Sequence, residues 1–83
     1  MTTYRKVKKV IDGDTIQTHT KVSGTNFVRI ANIDAPELHQ FGGYAAKERL
    51  KRQIQGKVVT LQPVGRSYNR IVAKVRHNRR LVR

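Results

Sequence analysis

The chain has 83 residues, of which 18 are Lys or Arg and five are Asp or Glu, so its formal net charge is +13. This length predicts one domain with a small core, and the charge favours nucleic acid as a partner, because Lys and Arg release condensed counterions when they neutralise phosphates. The absence of cysteine excludes disulfides and thiolate metal sites, and no apolar run is long enough for a transmembrane span or a signal-peptide core.

Alternating apolar and polar residues predict three strands in the first part of the chain, at residues 4–11, 15–22 and 27–33. Tight turns separate these strands, the first at Asp12-Gly13 and the second at residues 23–26. We expect Phe27 to lie in the core. Pro36 then ends the strand pattern.

One helix is predicted at residues 44–55, because apolar residues recur there at every fourth position and Gly56 is a typical helix stop. Two strands follow at residues 57–64 and 70–76, joined by a loop, and the tail either adds a short strand or frays. Three strands, a helix and two strands are the element order of a mainly β (α+β) fold. We therefore predict a five-stranded OB-type barrel with the helix across one end.

Four of the five acids lie in two short motifs, Asp12-Gly13-Asp14-Thr15 and Ile33-Asp34-Ala35-Pro36-Glu37. Asp14 and Asp34 would stand at the ends of strands in one sheet, where two carboxylates supply the hard oxygen ligands that suit Ca²⁺ or Mg²⁺. Each motif also has a purely structural interpretation, the first as a hairpin turn and the second as a helix-capping box with proline in the first turn.

Arg29 and Arg70 are candidates for binding phosphate, because each planar guanidinium can donate two parallel hydrogen bonds. The alternative is that both are solvated strand residues. Strand alternation places Arg29 and Asp34 on opposite faces unless a bulge intervenes. Among the histidines only His39 lies near the acidic motifs, where a capping or solvated role is the alternative to a functional one.

Five segments, in order along nearly the whole chain, resemble the thermonuclease family (staphylococcal nuclease-like domains). They are Val10–Thr15, Val28–Glu37, Gly43–Ala46, Gly56–Leu61 and Tyr68–Ala73. The family fold is an OB-type barrel, which agrees with the predicted element order. Family members continue beyond the barrel into C-terminal helices. The resemblance therefore implies a single nuclease-like domain over residues 1–83 that lacks this extension.

The resemblance implies a Ca²⁺-dependent phosphodiesterase that cleaves DNA and RNA with little sequence specificity and leaves 3′-phosphate ends. Asp14 and Asp34 match the family's metal carboxylates, and Ala35 matches the residue whose backbone carbonyl also binds the metal. Glu37 matches the acid that activates or positions the attacking water. We expect the substrate to be single-stranded or locally open.

The resemblance also assigns roles to the basic residues. Arg29 and Arg70 match the two arginines that clamp the scissile phosphate, and Tyr68 matches a tyrosine that contacts a neighbouring phosphate. Two positions depart from the family pattern. Arg66 replaces an aspartate, so we expect it to add a contact to substrate phosphate, and Asn69 replaces a glycine, at a position where asparagine tolerates left-handed backbone.

Two other classes of function compete with a nuclease. The first is a catalytically weak OB module that only binds nucleic acid. The second is a domain that binds anionic membranes, which the basic residues scattered around the helix and the lack of a large aromatic face disfavour. We expect a monomer without membrane association. The compartment stays open, although members of the family are often secreted.

Overall fold

A computed structural model describes residues 3–31, 33, 35 and 39–82. Six strands and one helix make up the described structure. In chain order they are β1 (Thr3–Asp12), β2 (Thr15–Val22), β3 (Thr25–Ile30), α1 (Gly43–Ile54), β4 (Val58–Ser67), β5 (Arg70–His77) and β6 (Arg80–Leu81). The prediction of a mainly β fold with one helix is therefore confirmed, and β6 is the short strand that the tail could add. No described helix is long and apolar enough to cross a membrane.

Five of the strands form a closed barrel. Their spatial order is β3-β2-β1-β4-β5, and parallel pairing of β3 with β5 closes the circle at Val28↔Ile71. This order differs from the order along the chain, because β1 lies between β2 and β4. The pair β5–β6 is a short hairpin attached to the barrel. Closure leaves β3 and β5 paired on both sides, so their backbone groups are not exposed as sheet edges.

The core fills the barrel with small and branched apolar side chains from every long strand. Strand alternation explains the pattern, since every second residue of β5 is buried, at Ile71, Ala73 and Val75. The helix α1 packs against β1 and adds Leu50 and Ile54 to the same core. The full set of buried apolar residues is Val7, Val10, Ile16, Val22, Val28, Ile30, Leu50, Ile54, Val59, Leu61, Ile71, Ala73, Val75 and Val82.

The largest differences from the predictions are the ends of the third and fourth strands and the burial of one expected core residue. The third strand ends at Ile30 rather than residue 33, because the backbone N–H of Ile33 donates to the carbonyl of Ile30 at 3.3 Å and turns the chain. The fourth strand continues through the predicted loop to Ser67, with a bulge between Pro63 and Gly65 that accommodates the missing proline N–H. Phe27 is half-buried rather than part of the core.

Candidate functional site

The turn between β1 and β2 fixes the position of the Asp14 carboxylate. Asp12 and Thr15 pair across the turn, as the predicted hairpin requires. The backbone N–H of Asp14 donates to Oδ1 of Asp12 at 3.1 Å, and the hydroxyl of Thr15 donates to Oδ1 of Asp14 at 2.9 Å. The Asp14 carbonyl accepts a hydrogen bond from Ile30 N–H at 2.8 Å, which ties the turn to β3. The carboxylate is thereby oriented by its own neighbours.

Gly13 brings two other parts of the chain against this turn. A Cβ atom at Gly13 would lie 2.6 Å from Cβ of Ala35 and 2.7 Å from Cβ of Ala46, distances that real Cβ atoms do not adopt. Only glycine allows such an approach. Ala35 follows β3 and Ala46 belongs to the first turns of α1, so both of these residues lie against the β1–β2 turn at Gly13. Asp34 and Glu37 lie outside the described residues.

Arg29 reaches the same place from β3. It pairs with Thr15 of β2 in the antiparallel register, and its Nη2 lies 3.5 Å from Oδ2 of Asp14. Its Nη1 donates to the carbonyl of Ile30 at 3.4 Å. The Arg29 side chain is 27% exposed and that of Asp14 is 16% exposed, so this ion pair is partly shielded from solvent. Arg29 is therefore held at the rim of the barrel with part of its guanidinium accessible.

Arg70, the first residue of β5, completes the group. Its Nη1 donates to the Thr15 hydroxyl at 3.3 Å, and that hydroxyl in turn donates to Asp14. Thr15 itself is buried. One hydroxyl therefore couples an arginine of β5 to a carboxylate of the β1–β2 turn. We refer to Asp14, Thr15, Arg29 and Arg70 as the Asp14 cluster.

Thr15 is the member of the cluster that the sequence analysis did not assign a functional role. Its position in the Asp12-Gly13-Asp14-Thr15 motif was the available signal. A hydroxyl directly after a turn carboxylate can hydrogen-bond to that carboxylate. Its contact with Arg70 depends on the pairing of three strands, which the local motif does not contain.

The electrostatic environment of Asp14 disfavours its charge. Burial raises the pKa of the Asp14 carboxyl above its ordinary value of 3.8, and the neighbouring Asp12 side chain raises it further. The hydrogen bond from Thr15 and the charge of Arg29 lower the pKa but do not cancel the increase. A cation placed beside Asp14 would compensate both the burial and the repulsion from Asp12.

The chemistry of Asp14 fits a hard divalent cation, because the residue offers carboxylate oxygens whose negative charge is only partly balanced. Ala35, whose carbonyl is a predicted ligand, lies against Gly13, which belongs to the same turn as Asp14. Among the residues that the structure describes, no three His, Cys, Asp or Glu side chains group closely enough to hold a metal ion. The predicted ligand Asp34 lies outside that set, so the metal site stays a prediction.

Tyr68 and Arg66 lie at the end of β4 that leads into Arg70. Tyr68 is 93% exposed and has a backbone φ of +56°. Tyr68 is therefore the left-handed residue of this turn, and Asn69, whose side chain would tolerate such a backbone, does not adopt it. The Arg66 guanidinium donates to the carbonyl of Ser23 at 3.2 Å, in the turn between β2 and β3. The phosphate contacts predicted for both side chains stay predictions.

Comparison with known proteins gives a consistent set of relatives. No protein-family model matches the sequence. An "Uncharacterized endonuclease" of Escherichia coli is 37% identical over 73 residues, which are 87% of this chain and 47% of that protein. A protein of the same name from Haemophilus influenzae is 39% identical over 71 residues, 84% of this chain and 40% of its own length. The chain thus spans less than half the length of these relatives.

Proposed function

We propose that this chain is a nuclease-like small barrel of the OB and thermonuclease type, which hydrolyses phosphodiester bonds of DNA and RNA at the Asp14 cluster. The observation that carries the proposal is the convergence of Arg29 and Arg70, from two different strands, on Asp14 and its hydrogen-bonded partner Thr15. Two cations beside an anchored carboxylate can bind a phosphate and a metal ion next to each other. The names of the relatives point to the same reaction class.

The two arginines would bind the scissile phosphate and stabilise the charge that grows on its equatorial oxygens. Donors fixed in place before the reaction lower the barrier more than donors that must reorganise. Arg70 is held by Thr15, and Arg29 by Asp14 and the carbonyl of Ile30. Both guanidiniums therefore have a defined position, and their other N–H groups make no hydrogen bond to the side chain or backbone of a described residue.

The proposed cofactor is Ca²⁺, held by the carboxylates of Asp14 and Asp34 and by the backbone carbonyl of Ala35. When bound, the ion polarises a phosphoryl oxygen and offsets negative charge. Asp14 has a second role in this arrangement, because it orients Arg29 toward the phosphate. Glu37 is the proposed acid that activates or positions water, a step that contributes roughly 10²–10⁴-fold in comparable reactions.

The substrate is proposed to be single-stranded or locally open nucleic acid of any sequence. A net charge of +13 recruits the polyanion through its phosphates, which carry no sequence information. Tyr68, which is exposed and lies two residues before Arg70, would contact a neighbouring phosphate, and Arg66 would add a further cation. The products would carry 3′-phosphate ends.

A catalytically weak nucleic-acid-binding module is the second candidate, and the basic composition alone supports it equally well. The two candidates differ in what the Asp14 cluster contributes. A binding module has no need of a partly buried carboxylate beside two arginines, whereas a metal-assisted nuclease uses such a carboxylate as a metal ligand. Cleavage, rather than binding, separates the two candidates.

The test is a digestion of denatured DNA and of RNA with Ca²⁺ or with a chelator. We expect degradation with Ca²⁺ only, and 3′-phosphate ends in the products. Arg29→Lys and Arg70→Lys should each lower kcat by about 10²-fold, the effect of removing one preorganised donor. Glu37→Gln should lower kcat with little change in binding. Arg49→Lys, on the exposed face of α1, is the matched control and should leave the rate unchanged. Tight binding by the native chain without any cleavage would establish the binding module instead.

A further inference from the structure

The outer face of β5 carries a line of cations that begins in the Asp14 cluster. Its inward residues are buried, and the alternate positions face outward, namely Arg70, Val72, Lys74 and Arg76. Val72 is the direct neighbour of Arg29 in the parallel pairing of β3 and β5. Successive outward positions are about 6.6 Å apart along a strand, so Arg76 lies roughly 20 Å from Arg70. We call Arg70, Lys74 and Arg76 the β5 stripe.

A groove lies at the far end of this stripe. Pairing across three strands places Tyr4, Thr60 and Arg76 in one row on the outer face of the sheet. This groove, which we call the Tyr4 groove, has a volume of about 450 Å³. It is lined by Tyr4, Val58, Thr60, Arg76, Asn78 and Arg79. Tyr4 is 66% exposed. The groove therefore combines an accessible aromatic ring with two guanidiniums, the pair of features that bind a base and its phosphate.

The cationic side chains of this face beyond Arg70 have no partner among the described residues of the chain. The side chains of Lys74, Arg76 and Arg79 make no hydrogen bond or ion pair with any residue in the described part of the chain. The strands β1, β4, β5 and β6 contain one acid, Asp12, which stands at the opposite end of β1 from Tyr4. A face of one charge sign, without internal partners, complements a polyanion.

Arg79 provides an independent observation. It lies with Asn78 in the turn between β5 and β6, and both residues have left-handed backbone, with φ of +67° and +51°. This turn favours glycine or asparagine at both central positions. Asn78 follows the rule, whereas an arginine in this conformation carries a steric cost. A strained cation at the mouth of the groove points from backbone geometry toward ligand binding.

We propose that the β5 stripe and the Tyr4 groove form a track for one strand of nucleic acid, running from the Asp14 cluster to the β5–β6 turn. Phosphates of the strand contact Lys74, Arg76 and Arg79, and an unpaired base stacks on Tyr4. A duplex would hide its base faces from Tyr4, so the track selects single strands. That the track starts at the Asp14 cluster rests on the proposed function. Binding of a strand to the track does not depend on cleavage.

Binding is measured with fluorescent single-stranded DNA in chelator, so that the result does not depend on catalysis. The lengths are about 4 and about 16 nucleotides, the range that one OB-type fold covers. We expect the variant Lys74→Gln/Arg76→Gln/Arg79→Gly to bind the longer strand more weakly and to lower its salt slope by about 2, or about 0.7 for each lost phosphate contact. Binding of the shorter strand, which the Asp14 cluster can hold alone, should not change.

The control removes the same charge elsewhere, as Arg49→Gln/Lys51→Gln/Arg52→Gln on exposed positions of α1. Equal weakening by both triple variants would mean that net charge alone governs binding, and it would overturn the track. Tyr4→Leu should weaken the longer complex about tenfold if a base stacks on the ring. Unchanged binding by Tyr4→Leu and by Lys74→Gln/Arg76→Gln/Arg79→Gly would overturn the proposal as well.

Arg79→Gly separates binding from folding. Glycine suits a φ of +67°, so this variant should melt at the same or a higher temperature than the native chain while it binds the longer strand more weakly. A higher melting temperature with native affinity would show that Arg79 does not belong to the track. A native chain that binds long strands through the stripe but cleaves nothing would refute the proposed nuclease and leave the track intact.

Discussion

Gly13 lies against two other parts of the chain, at Ala35 and Ala46, and its substitution is the sharpest test of the site's geometry. In Gly13→Ala the new methyl would overlap Cβ of both Ala35 and Ala46, so the turn or its neighbours must move. We expect the free energy of unfolding to fall by about 1–3 kcal/mol, as for other overpacked positions. Urea denaturation measures this loss. Cleavage should fall further than stability explains, because the turn carries Asp14.

Gly65→Ala is the matched control for this substitution. A Cβ atom there would meet nothing within 4 Å, and the backbone of Gly65 is not left-handed. The substitution should therefore change stability by less than about 1 kcal/mol, in the stabilising direction if unfolded-state entropy dominates. Similar losses in Gly13→Ala and Gly65→Ala would contradict the close approach described for Gly13.

Asp14 should make the fold less stable at neutral pH than an uncharged residue would. Burial, helped by Asp12, raises its pKa above 3.8 in the folded state. A carboxyl with a raised folded pKa contributes stability that is fully present below the unfolded pKa and is lost as the pH rises through the folded pKa. The free energy of unfolding of Asp14→Asn should therefore match that of the native chain near pH ~3 and exceed it increasingly as the pH rises to about 7.

Calcium bound at Asp14 should raise the free energy of unfolding at neutral pH, where the charge of Asp14 alone lowers it. A ligand that binds only the folded state stabilises it, by about 2.7 kcal/mol at a hundred times its dissociation constant. We expect Ca²⁺ to raise the melting temperature of the native chain at pH 7 and not that of Asp14→Asn. If Ca²⁺ raises both equally, the ion binds somewhere other than the Asp14 carboxylate.

At the scale of elements, Thr15 links β2 to β5 and to the β1–β2 turn. Thr15→Val keeps the shape of this buried side chain but removes the hydroxyl between Arg70 and Asp14. The free energy of unfolding should fall by about 1–3 kcal/mol, since two hydrogen bonds are lost at about 0.5–1.5 kcal/mol each. The kcat should fall about ten- to a hundredfold, because a small displacement of a positioned group is costly. The Km should change much less.

Thr15→Ser distinguishes this positioning role from a packing role. Serine restores the hydroxyl and removes the methyl, so it should recover most of kcat while losing some stability. A variant series in which activity follows side-chain volume rather than the hydroxyl would show that Thr15 only fills space.

The elements themselves were accessible from the sequence because their signals are local. The period-two pattern and the turn at Asp12-Gly13 gave the second strand its exact range and the first strand all but its end residues. The fourth strand was cut short because Pro63 and Gly65 usually end a strand, and only a partner strand can accommodate them in a bulge. The parallel closure of β3 on β5 has no local signal, since 39 residues separate the end of β3 at Ile30 from the start of β5 at Arg70.

The candidate site divides in the same way. The motifs identified Asp14, Arg29 and Arg70 as candidates, and the structure brings these three together. Sequence spacing could not predict that Thr15 joins Arg70 to Asp14, because that contact depends on the register of β2 with β3 and of β3 with β5. The left-handed backbone of Tyr68 had no signal in the sequence, because tyrosine rarely adopts that conformation. Asp34 and Glu37 stay predictions.

For the molecule as a whole, charge distribution opposes stability and favours binding. Four of the five acids lie in the two motifs around the β1–β2 turn and after β3, and the charged residues on the outer face of β5 are all cations. Concentrating one sign of charge destabilises the compact state through self-repulsion, and it also raises the local potential that attracts a polyanion. Salt acts on both effects at once, because it screens the repulsion and competes with binding.

Raising NaCl from about 0.1 to about 1 M shortens the Debye length from about 10 to about 3 Å. We therefore expect the urea midpoint of the native chain to rise while its affinity for long single strands falls. Lys74, Arg76 and Arg79 should account for about a hundredfold of that fall if each neutralises one phosphate. Urea is used because guanidinium chloride is itself a salt. The variant Lys74→Gln/Arg76→Gln/Arg79→Gly should weaken both responses, since the same three charges cause the repulsion and the attraction. A variant that lowers the salt dependence of binding but leaves that of stability unchanged would place the repulsion elsewhere on the barrel.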